Sequence, residues 1–214
     1  MTPEDLAVYL VTDPAYPRDR PVDDVCLEAV QAGVRVVQLR DKRASTRSLV
    51  EQSRALKARL VPHRAVLLIN DRVDVVLAAG ADGVHLGQDD LDPADARRLL
   101  GPEAVIGVSV QTPEEARVAE RDGASYLAAS PVFVTPTKPE LDAALGLDGL
   151  RRLRAASTLP LVAIGGIKGD NAAEVVAAGA DGVAVVSAIM AAPDVGAACR
   201  ELARAVAQGR RQRG

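Results

Sequence analysis

The chain has 214 residues, enough for one domain with a sizeable core. It is 48% hydrophobic with no Trp and one Phe, so Val, Leu, Ile and Ala must supply most of that core. The formal charge of −3 argues against general nucleic-acid binding, and no run approaches the ~18 apolar residues of a membrane span. We therefore expect a cytoplasmic protein without nucleic-acid or membrane partners, and the sequence leaves a homo-oligomer open.

The first residues and the two cysteines carry no targeting or metal signal. Residues 1–5 are acidic and lack the basic and apolar regions of a signal peptide. Cys26 and Cys199 fall inside predicted helices without metal-ligand spacing, so we expect free thiols. We predict one domain over residues 1–214, with a disordered basic tail at 208–214.

Eight short apolar runs alternate with helical patterns along the chain. The predicted strands cover residues 6–11, 34–39, 65–69, 84–86, 105–108, 126–129, 159–164 and 182–186. The predicted helices cover residues 22–31, 46–60, 73–79, 93–100, 112–121, 147–156, 172–178 and 195–207. Such continuously apolar strands are typical of a parallel sheet that is buried on both faces.

A closed barrel and an open sheet are both compatible with this alternation. Similar Ala-Gly junctions follow several of the helices, about two strand–helix units apart, which favours one repeated closed design. A doubly wound open sheet would normally have a Gly-rich loop after its first strand, where this chain has Thr12-Asp13-Pro14. We therefore predict a single (β/α)8 TIM barrel and keep the open sheet as the alternative.

The ends of the last two predicted strands suggest an anion site. Gly165 and Gly166 follow the seventh strand, and Ser187 follows the eighth, where another helix begins. In TIM barrels the loops after these two strands and a helix N-terminus form the usual phosphate site. The alternative is that the two glycines only make a tight turn.

Other polar residues follow the earlier strands, on the face that carries the active site in TIM barrels. They are Gln38, Arg40, Lys42, Asn70, Asp71, His85, Gln88, Asp90, Ser109, Thr135, Thr137 and Lys138. Gln38, Arg40 and Lys42 are two residues apart, so their side chains can point the same way. Cations beside the carboxylates of Asp71 and Asp90 would suit a diphosphate with Mg²⁺.

Each of these residues also has an ordinary structural interpretation. Residues 40–43 could be a solvated run of charges, and Asp71 could cap the following helix. Asp90 could be one acid on a solvated loop, and His85 could be a core histidine with a backbone partner.

A series of motifs, taken in their order along the chain, resembles the thiamine phosphate synthase family from Tyr9 to about Ile189. They are Gln38-Leu39-Arg40-Asp41-Lys42, Ile69-Asn70-Asp71, the residues 83–90, Gly107-Val108-Ser109-Val110, Thr135-Pro136-Thr137-Lys138, Ala163-Ile164-Gly165-Gly166-Ile167 and residues 185–189. The resemblance implies that 4-amino-2-methyl-5-hydroxymethylpyrimidine diphosphate is joined to 4-methyl-5-(2-phosphoethyl)thiazole. Thiamine phosphate and pyrophosphate would be the products.

The resemblance also implies roles for individual residues. Asp71 and Asp90 would hold one Mg²⁺ per site, and Gln38 would contact the pyrimidine. Pyrophosphate would be bound by Arg40, Lys42, Asn70, Ser109 and Lys138, of which Arg40, Lys42, Ser109 and Lys138 form the implied catalytic set. The thiazole phosphate and its neighbourhood would be bound by Thr135, Thr137, Gly166, Val186 and Ser187.

Two other functions stay open. The thiazole tautomerase branch of the same fold resembles the chain, but it has His where this chain has Gln111, and it tends to lack the Thr-x-Thr-Lys loop. A phosphate-binding barrel without catalysis is the other alternative, although three cations and two carboxylates exceed what it needs. The loop at 131–145 is a candidate flap over the site.

Overall fold

The computed structural model describes residues 1–16, 19–134 and 144–213, and the predicted site residues Thr135, Thr137 and Lys138 lie outside them. The strands are β1 (Val8–Val11), β2 (Val36–Leu39), β3 (Val66–Asn70), β4 (Gly83–Leu86), β5 (Val105–Val110), β6 (Tyr126–Ala129), β7 (Leu161–Ile164) and β8 (Gly182–Val185). Each strand pairs in parallel with its neighbour in chain order, and β8 pairs with β1, which closes the barrel. The predicted (β/α)8 barrel is therefore confirmed, and the open sheet is excluded.

Helices follow the strands. They are α1 (Val22–Gln31), α2 (Thr46–Leu60), α3 (Val73–Ala79), α4 (Pro93–Leu100), α5 (Pro113–Arg121), α6 (Gly146–Ala156), α7 (Ala172–Ala177), α8 (Ser187–Met190) and α9 (Val195–Arg213), with a 3-10 turn at Val61–His63 after α2. The start of α5 is fixed by a capping box, in which the Thr112 side chain accepts from the Glu115 N–H and the Glu115 carboxylate accepts from the Thr112 N–H. At the start of α4, the Asp92 carboxylate accepts the N–H of Ala94.

Side chains alternate between the inside of the barrel and the layer between strands and helices. In β1, Tyr9 and Val11 belong to the inner cluster, whereas Val8 and Leu10 pack outwards against the helices. Tyr9 and Tyr126 are the largest members of the inner cluster. The barrel is therefore a packed core below its open end, as this fold requires.

The C-terminal helix corrects one prediction. Because α9 continues to Arg213, the expected disordered tail is wrong for residues 208–213. The Arg210 guanidinium donates to the carbonyl oxygens of Asp181 at 2.6 Å and Pro3 at 2.7 Å. Arg213 donates to the Asp181 carboxylate at 3.0 Å. The basic residues thus hold the last turns of the helix to the barrel.

Two further expectations concern the cysteines and the membrane. Cys26 and Cys199 are both buried and have free thiols, as expected. Within the ranges that the structure describes, no helix combines the length and the apolar character that crossing a bilayer demands.

Candidate active site

A cavity of about 330 Å³ opens at the C-terminal ends of the strands, and it is called the mouth below. Its early-strand side includes Gln38, Arg40, Asn70, His85 and Ser109. Its late-strand side includes Gly165, Gly166, Lys168, Val186 and Ser187. Barrel closure therefore brings predicted residues from opposite halves of the chain to the walls of one cavity.

Gln38, Arg40 and Lys42 lie at and after the end of β2, and the first two line the mouth. Gln38 is only 3% exposed and lies inside the barrel. The Arg40 side chain is 14% exposed and contacts the Asp13 carboxylate at 3.3 Å. The Lys42 ammonium lies 3.6 Å from the Asp71 carboxylate. Burial and its carboxylate contact set Arg40 apart from a solvated run of charges, whereas the Lys42 side chain is 59% exposed and lies beside Asp71 rather than in the lining of the mouth.

Asp71 has an unusual backbone conformation. Its φ of +63° lies in the left-handed region, which is uncommon for residues other than glycine and often marks a functional position. Its N–H donates to the carbonyl oxygen of His85 at 2.8 Å. Arg72 occupies the N-cap position of α3, so Asp71 is not the cap of that helix.

The carboxylates of Asp71 and Asp90 face each other. Burial is the main cause that raises the pKa of Asp71 to about 6, and a hydrogen bond with Asp90 and the negative charge of Asp90 add to it. The positive charges of Lys42 and Arg40 act in the opposite direction and lower this pKa. Asp90 accepts the N–H of Gly87 at 2.7 Å, which holds its carboxylate in place. Asp90 is thus a positioned acid although its side chain is exposed to solvent.

This pair of acids fits a hard divalent cation. Two facing carboxylates repel each other, and a cation between them would remove that repulsion. Across the described ranges, no group of three or more His, Cys, Asp and Glu side chains is arranged to hold a metal ion. A magnesium ion here would therefore take two carboxylates from the protein, and water or phosphate oxygens would complete its preferred octahedron.

On the late-strand side, the two glycines are required by both backbone and packing. Gly165 has φ of +105° and Gly166 has φ of +66°. A Cβ on Gly166 would lie 2.9 Å from the Cβ of Phe133 and 3.0 Å from the Val134 carbonyl oxygen. The glycines therefore let the loop after β7 pack closely against the loop after β6, at the wall of the mouth.

Asn171 holds this glycine loop. It occupies the N-cap position of α7, but its side chain makes no capping hydrogen bond to that helix. Its Nδ2 donates to the Gly166 carbonyl oxygen at 3.0 Å, and its Oδ1 accepts the Lys168 N–H at 2.8 Å. The side chain thus fixes the loop that lines the mouth.

The structure adds residues that sequence reasoning missed. Lys168 lines the mouth as a further cation, and Tyr9 and Ser130 also line it. Lys168 lies just after Gly165-Gly166-Ile167, at the end of a strand, and that position was the only signal for it. Nothing in an apolar strand distinguishes Tyr9 from a core residue.

His85 is 8% exposed and bonds side chains on both of its ring nitrogens. Nδ1 is 2.8 Å from the hydroxyl of Tyr126, and Nε2 is 2.9 Å from the hydroxyl of Ser109. Ser109 itself lies at the wall of the mouth. His85 therefore connects the packed interior of the barrel with the site.

The family model described as thiamine monophosphate synthase matches residues 8–189. The thiamine-phosphate synthase of Azorhizobium caulinodans is 48% identical over 209 residues, which cover 98% of this chain and 99% of the relative. That of Albidiferax ferrireducens is 53% identical over 189 residues, which cover 88% of this chain and 86% of the relative.

Solved structures agree with these matches. Thiamine phosphate pyrophosphorylase from Pyrococcus furiosus superposes with a TM-score of 0.87 at 40% identity, covering 97% of this chain and 98% of the other. A 3-hexulose-6-phosphate synthase, with a TM-score of 0.67 at 20% identity, is similar in fold alone. The chain therefore belongs to the thiamine monophosphate synthase family and is a transferase of thiamine biosynthesis.

Proposed function

We propose that the chain joins 4-amino-2-methyl-5-hydroxymethylpyrimidine diphosphate to 4-methyl-5-(2-phosphoethyl)thiazole. The products are thiamine phosphate and pyrophosphate. The observation that supports this most is the two-sided mouth, in which Gln38, Arg40 and Ser109 share one cavity with Gly166 and Ser187. One cavity with separate polar ends suits a reaction between two phosphorylated substrates.

The early-strand side binds the diphosphate in this proposal. Arg40 and Lys42 neutralise phosphate oxygens, Asn70 and Ser109 donate neutral hydrogen bonds, and Lys138 adds a third cation from outside the described ranges. Asp71 and Asp90 hold magnesium, which neutralises charge on the leaving pyrophosphate when it is bound. Oxygen ligands accept magnesium and manganese alike, so the identity of the ion as magnesium is an expectation.

Gln38 positions the pyrimidine. Its Nε2 donates to the Tyr9 hydroxyl at 2.5 Å, so its carbonyl oxygen is the group left to accept from an amino group. The 4-amino group of the pyrimidine is such a donor. Recognition of that amino group would place the ring beside the diphosphate site.

The late-strand side binds the thiazole phosphate. Gly166, Val186 and Ser187 lie at the ends of β7 and β8. Thr135 and Thr137 lie outside the described residues and are assigned to this side from their motif alone. Lys168 adds a cation to this side of the mouth. The thiazole nitrogen would then face the carbon that loses pyrophosphate.

The chemistry needs no covalent nucleophile on the protein. An aminopyrimidine stabilises positive charge on its exocyclic methylene, so the diphosphate can leave before the thiazole nitrogen attacks. Catalysis then consists of stabilising the leaving anion and holding the second substrate in position. Arg40, Lys42, Ser109 and Lys138 serve the first of these tasks.

The thiazole tautomerase is the second candidate, because its substrate would fit the same late-strand side. That reaction needs a general acid or base after β5, where this chain has Gln111. A carboxamide does not titrate in the physiological range, so it cannot exchange the proton that isomerisation requires.

The deciding experiment incubates the protein with Mg²⁺ and each phosphorylated substrate, alone and together, and measures pyrophosphate. Release that requires both substrates supports the synthase. Isomerised thiazole without pyrophosphate supports the tautomerase, and binding of either phosphate without turnover supports the non-catalytic barrel. The cytoplasmic location and a homo-oligomeric state stay predictions.

A further inference from the structure

A chain of hydrogen-bonded side chains, called the relay below, crosses the inside of the barrel. It links five strands through the residues Gln38, Tyr9, Tyr126, His85 and Ser109. The successive distances are 2.5 Å, 2.9 Å, 2.8 Å and 2.9 Å. The first four of these side chains are buried, and Ser109 lies at the wall of the mouth.

The donor at Gln38 favours one direction of hydrogen bonding along the relay. The Gln38 amide nitrogen can only donate, so the Tyr9 oxygen accepts and its own O–H is available for Tyr126. The Tyr126 O–H can then be donated to Nδ1 of His85. An accepting Nδ1 leaves the ring proton of neutral His85 on Nε2, from which it is donated to the Ser109 oxygen.

This direction leaves the Ser109 proton unused by the relay. With His85 as donor, the Ser109 O–H can be donated to an anion in the mouth. In the opposite direction, the Ser109 O–H would be donated to His85. Only oxygen lone pairs would then face the mouth, and they would repel an anion. The tautomer of His85 therefore decides whether Ser109 is a donor or an acceptor towards the substrate.

Both tyrosines are able to serve as donors. Burial raises the pKa of Tyr9, and burial together with the nearby Tyr9 raises the pKa of Tyr126, so both phenols keep their protons at physiological pH. The two rings meet edge to face, with centroids 6.0 Å apart. This contact packs the two rings against each other inside the barrel.

An independent observation concerns Gly107 in β5. It pairs in register with His85 on one side and Tyr126 on the other. A Cβ on Gly107 would lie 2.1 Å from Cζ and 2.2 Å from the hydroxyl oxygen of Tyr126. Glycine therefore makes the space through which Tyr126 reaches His85 across the intervening strand.

We propose that Tyr126 and His85 are positioning residues that orient the Ser109 hydroxyl towards the leaving pyrophosphate. The proposal rests on the proposed function, since it concerns the same site. It also links two parts of the early-strand side, because in that proposal Gln38 contacts the pyrimidine and Ser109 contacts the diphosphate. Neither Tyr126 nor His85 needs to touch the reacting atoms.

The direct test is the tautomer of His85, read from its ¹⁵N chemical shifts at a pH where the ring is neutral. The chain has two histidines, and a His63→Gln variant identifies the signals of His85. We expect the Nε2–H form in the wild type. We expect a shift towards the Nδ1–H form in Tyr126→Phe, which lacks the donated hydroxyl. A wild-type Nδ1–H form would overturn the proposal, whether or not the protein is a synthase.

The kinetic test compares Tyr126→Phe in two backgrounds. In the wild type we expect kcat to fall at least ~10-fold with KM values nearly unchanged, a smaller loss than the ~10²-fold of a directly contacting donor. In a Ser109→Ala background the same change should alter kcat less than ~2-fold, because coupled residues are not additive. Equal losses of kcat in both backgrounds would contradict the relay, but they would not count against the proposed synthase function.

Gly107→Ala provides a second route if Tyr126→Phe does not fold. This variant keeps every hydroxyl but displaces the Tyr126 ring, so it should reproduce the tautomer shift and the loss of kcat. An unchanged His85 spectrum in folded Gly107→Ala would contradict the relay.

Discussion

The carboxylates of Asp71 and Asp90 lie within hydrogen-bonding reach of each other, although they follow different strands of the barrel. The backbone positions both acids. The N–H of Asp71 donates to the carbonyl oxygen of His85 at 2.8 Å, and the Asp90 carboxylate accepts the N–H of Gly87 at 2.7 Å. A pair held in this way before any cation arrives is suited to bind one without rearrangement.

Asp71→Asn should raise the Mg²⁺ concentration needed for half-maximal activity by ~10-fold or more, since even loss of an outer-shell partner costs that much. Asp89→Asn is the matched control, because Asp89 is an exposed acid beside Asp90 and has no assigned role. The measurement is the initial rate of pyrophosphate release against Mg²⁺. Equal Mg²⁺ dependence in Asp71→Asn and Asp89→Asn would place the ion elsewhere.

Lys138→Ala should slow the reaction at least ~10²-fold, because it removes one charged donor from the leaving pyrophosphate. Lys138 lies outside the described residues, so this prediction rests on its motif. Glu140→Ala changes a charge in the same segment and should keep near-normal turnover. Single-turnover rates separate the chemical step from product release, and a normal rate in Lys138→Ala would make Lys138 only a loop charge.

The barrel could be predicted because its signals are local. The apolar strands are continuous, and the Thr112 capping box marks where a helix begins. Asp71 and Asp90 could be proposed as partners because the ends of parallel strands meet on one face of a barrel. Position along the chain was sufficient for these features.

Other features depend on contacts between distant residues. Tyr9 and Tyr126 bond each other across 117 positions, and the space for Tyr126 comes from a glycine on another strand. The cluster of arginines at the end of α9 led to the prediction of a solvated tail, yet Arg210 is hydrogen-bonded to the barrel. The periodic patterns of a sequence do not predict contacts between such distant residues.

Gly166→Ala should impair both folding and binding of the thiazole phosphate. Its φ of +66° and the 2.9 Å approach to Phe133 leave no room for a Cβ. Left-handed strain costs about 1–3 kcal/mol in the free energy of unfolding. We also expect a raised KM for the thiazole phosphate, since the loop at the mouth must move.

Gly80→Ala is the control for Gly166→Ala. Gly80 has a similar φ of +70°, but a Cβ there would meet nothing within 4 Å, and it ends α3 away from the mouth. Gly80→Ala should therefore lower stability without changing KM. Equal KM values in the two variants would show that the loop around Gly166 does not contact the thiazole phosphate.

Arg210→Ala should destabilise the fold without affecting catalysis directly. The change leaves the carbonyl oxygens of Asp181 and Pro3 without a donor that they have in the native protein. An unsatisfied buried acceptor costs about 1–3 kcal/mol. At about 2–4 °C per kcal/mol for a domain of this size, the loss is measurable as a lower Tm.

Arg211→Ala is the matched control for Arg210→Ala, because Arg211 is exposed on the same turn of α9. It should change the free energy of unfolding by less than about 0.5 kcal/mol. Equal stability of the two variants would contradict the docking of the last turns of α9.

The two thiols should react very slowly with disulfide reagents in the native protein, and the rate should depend steeply on pH. Burial is the main cause that raises the pKa of both Cys26 and Cys199 to about 12, and nearby acids add to it. Because only the thiolate reacts, the rate should rise about tenfold per pH unit below that pKa for as long as the protein stays folded. Denaturant should expose both thiols and abolish this protection. Fast native labelling of either cysteine near neutral pH would mean that α1 or α9 opens far more readily than its packing implies.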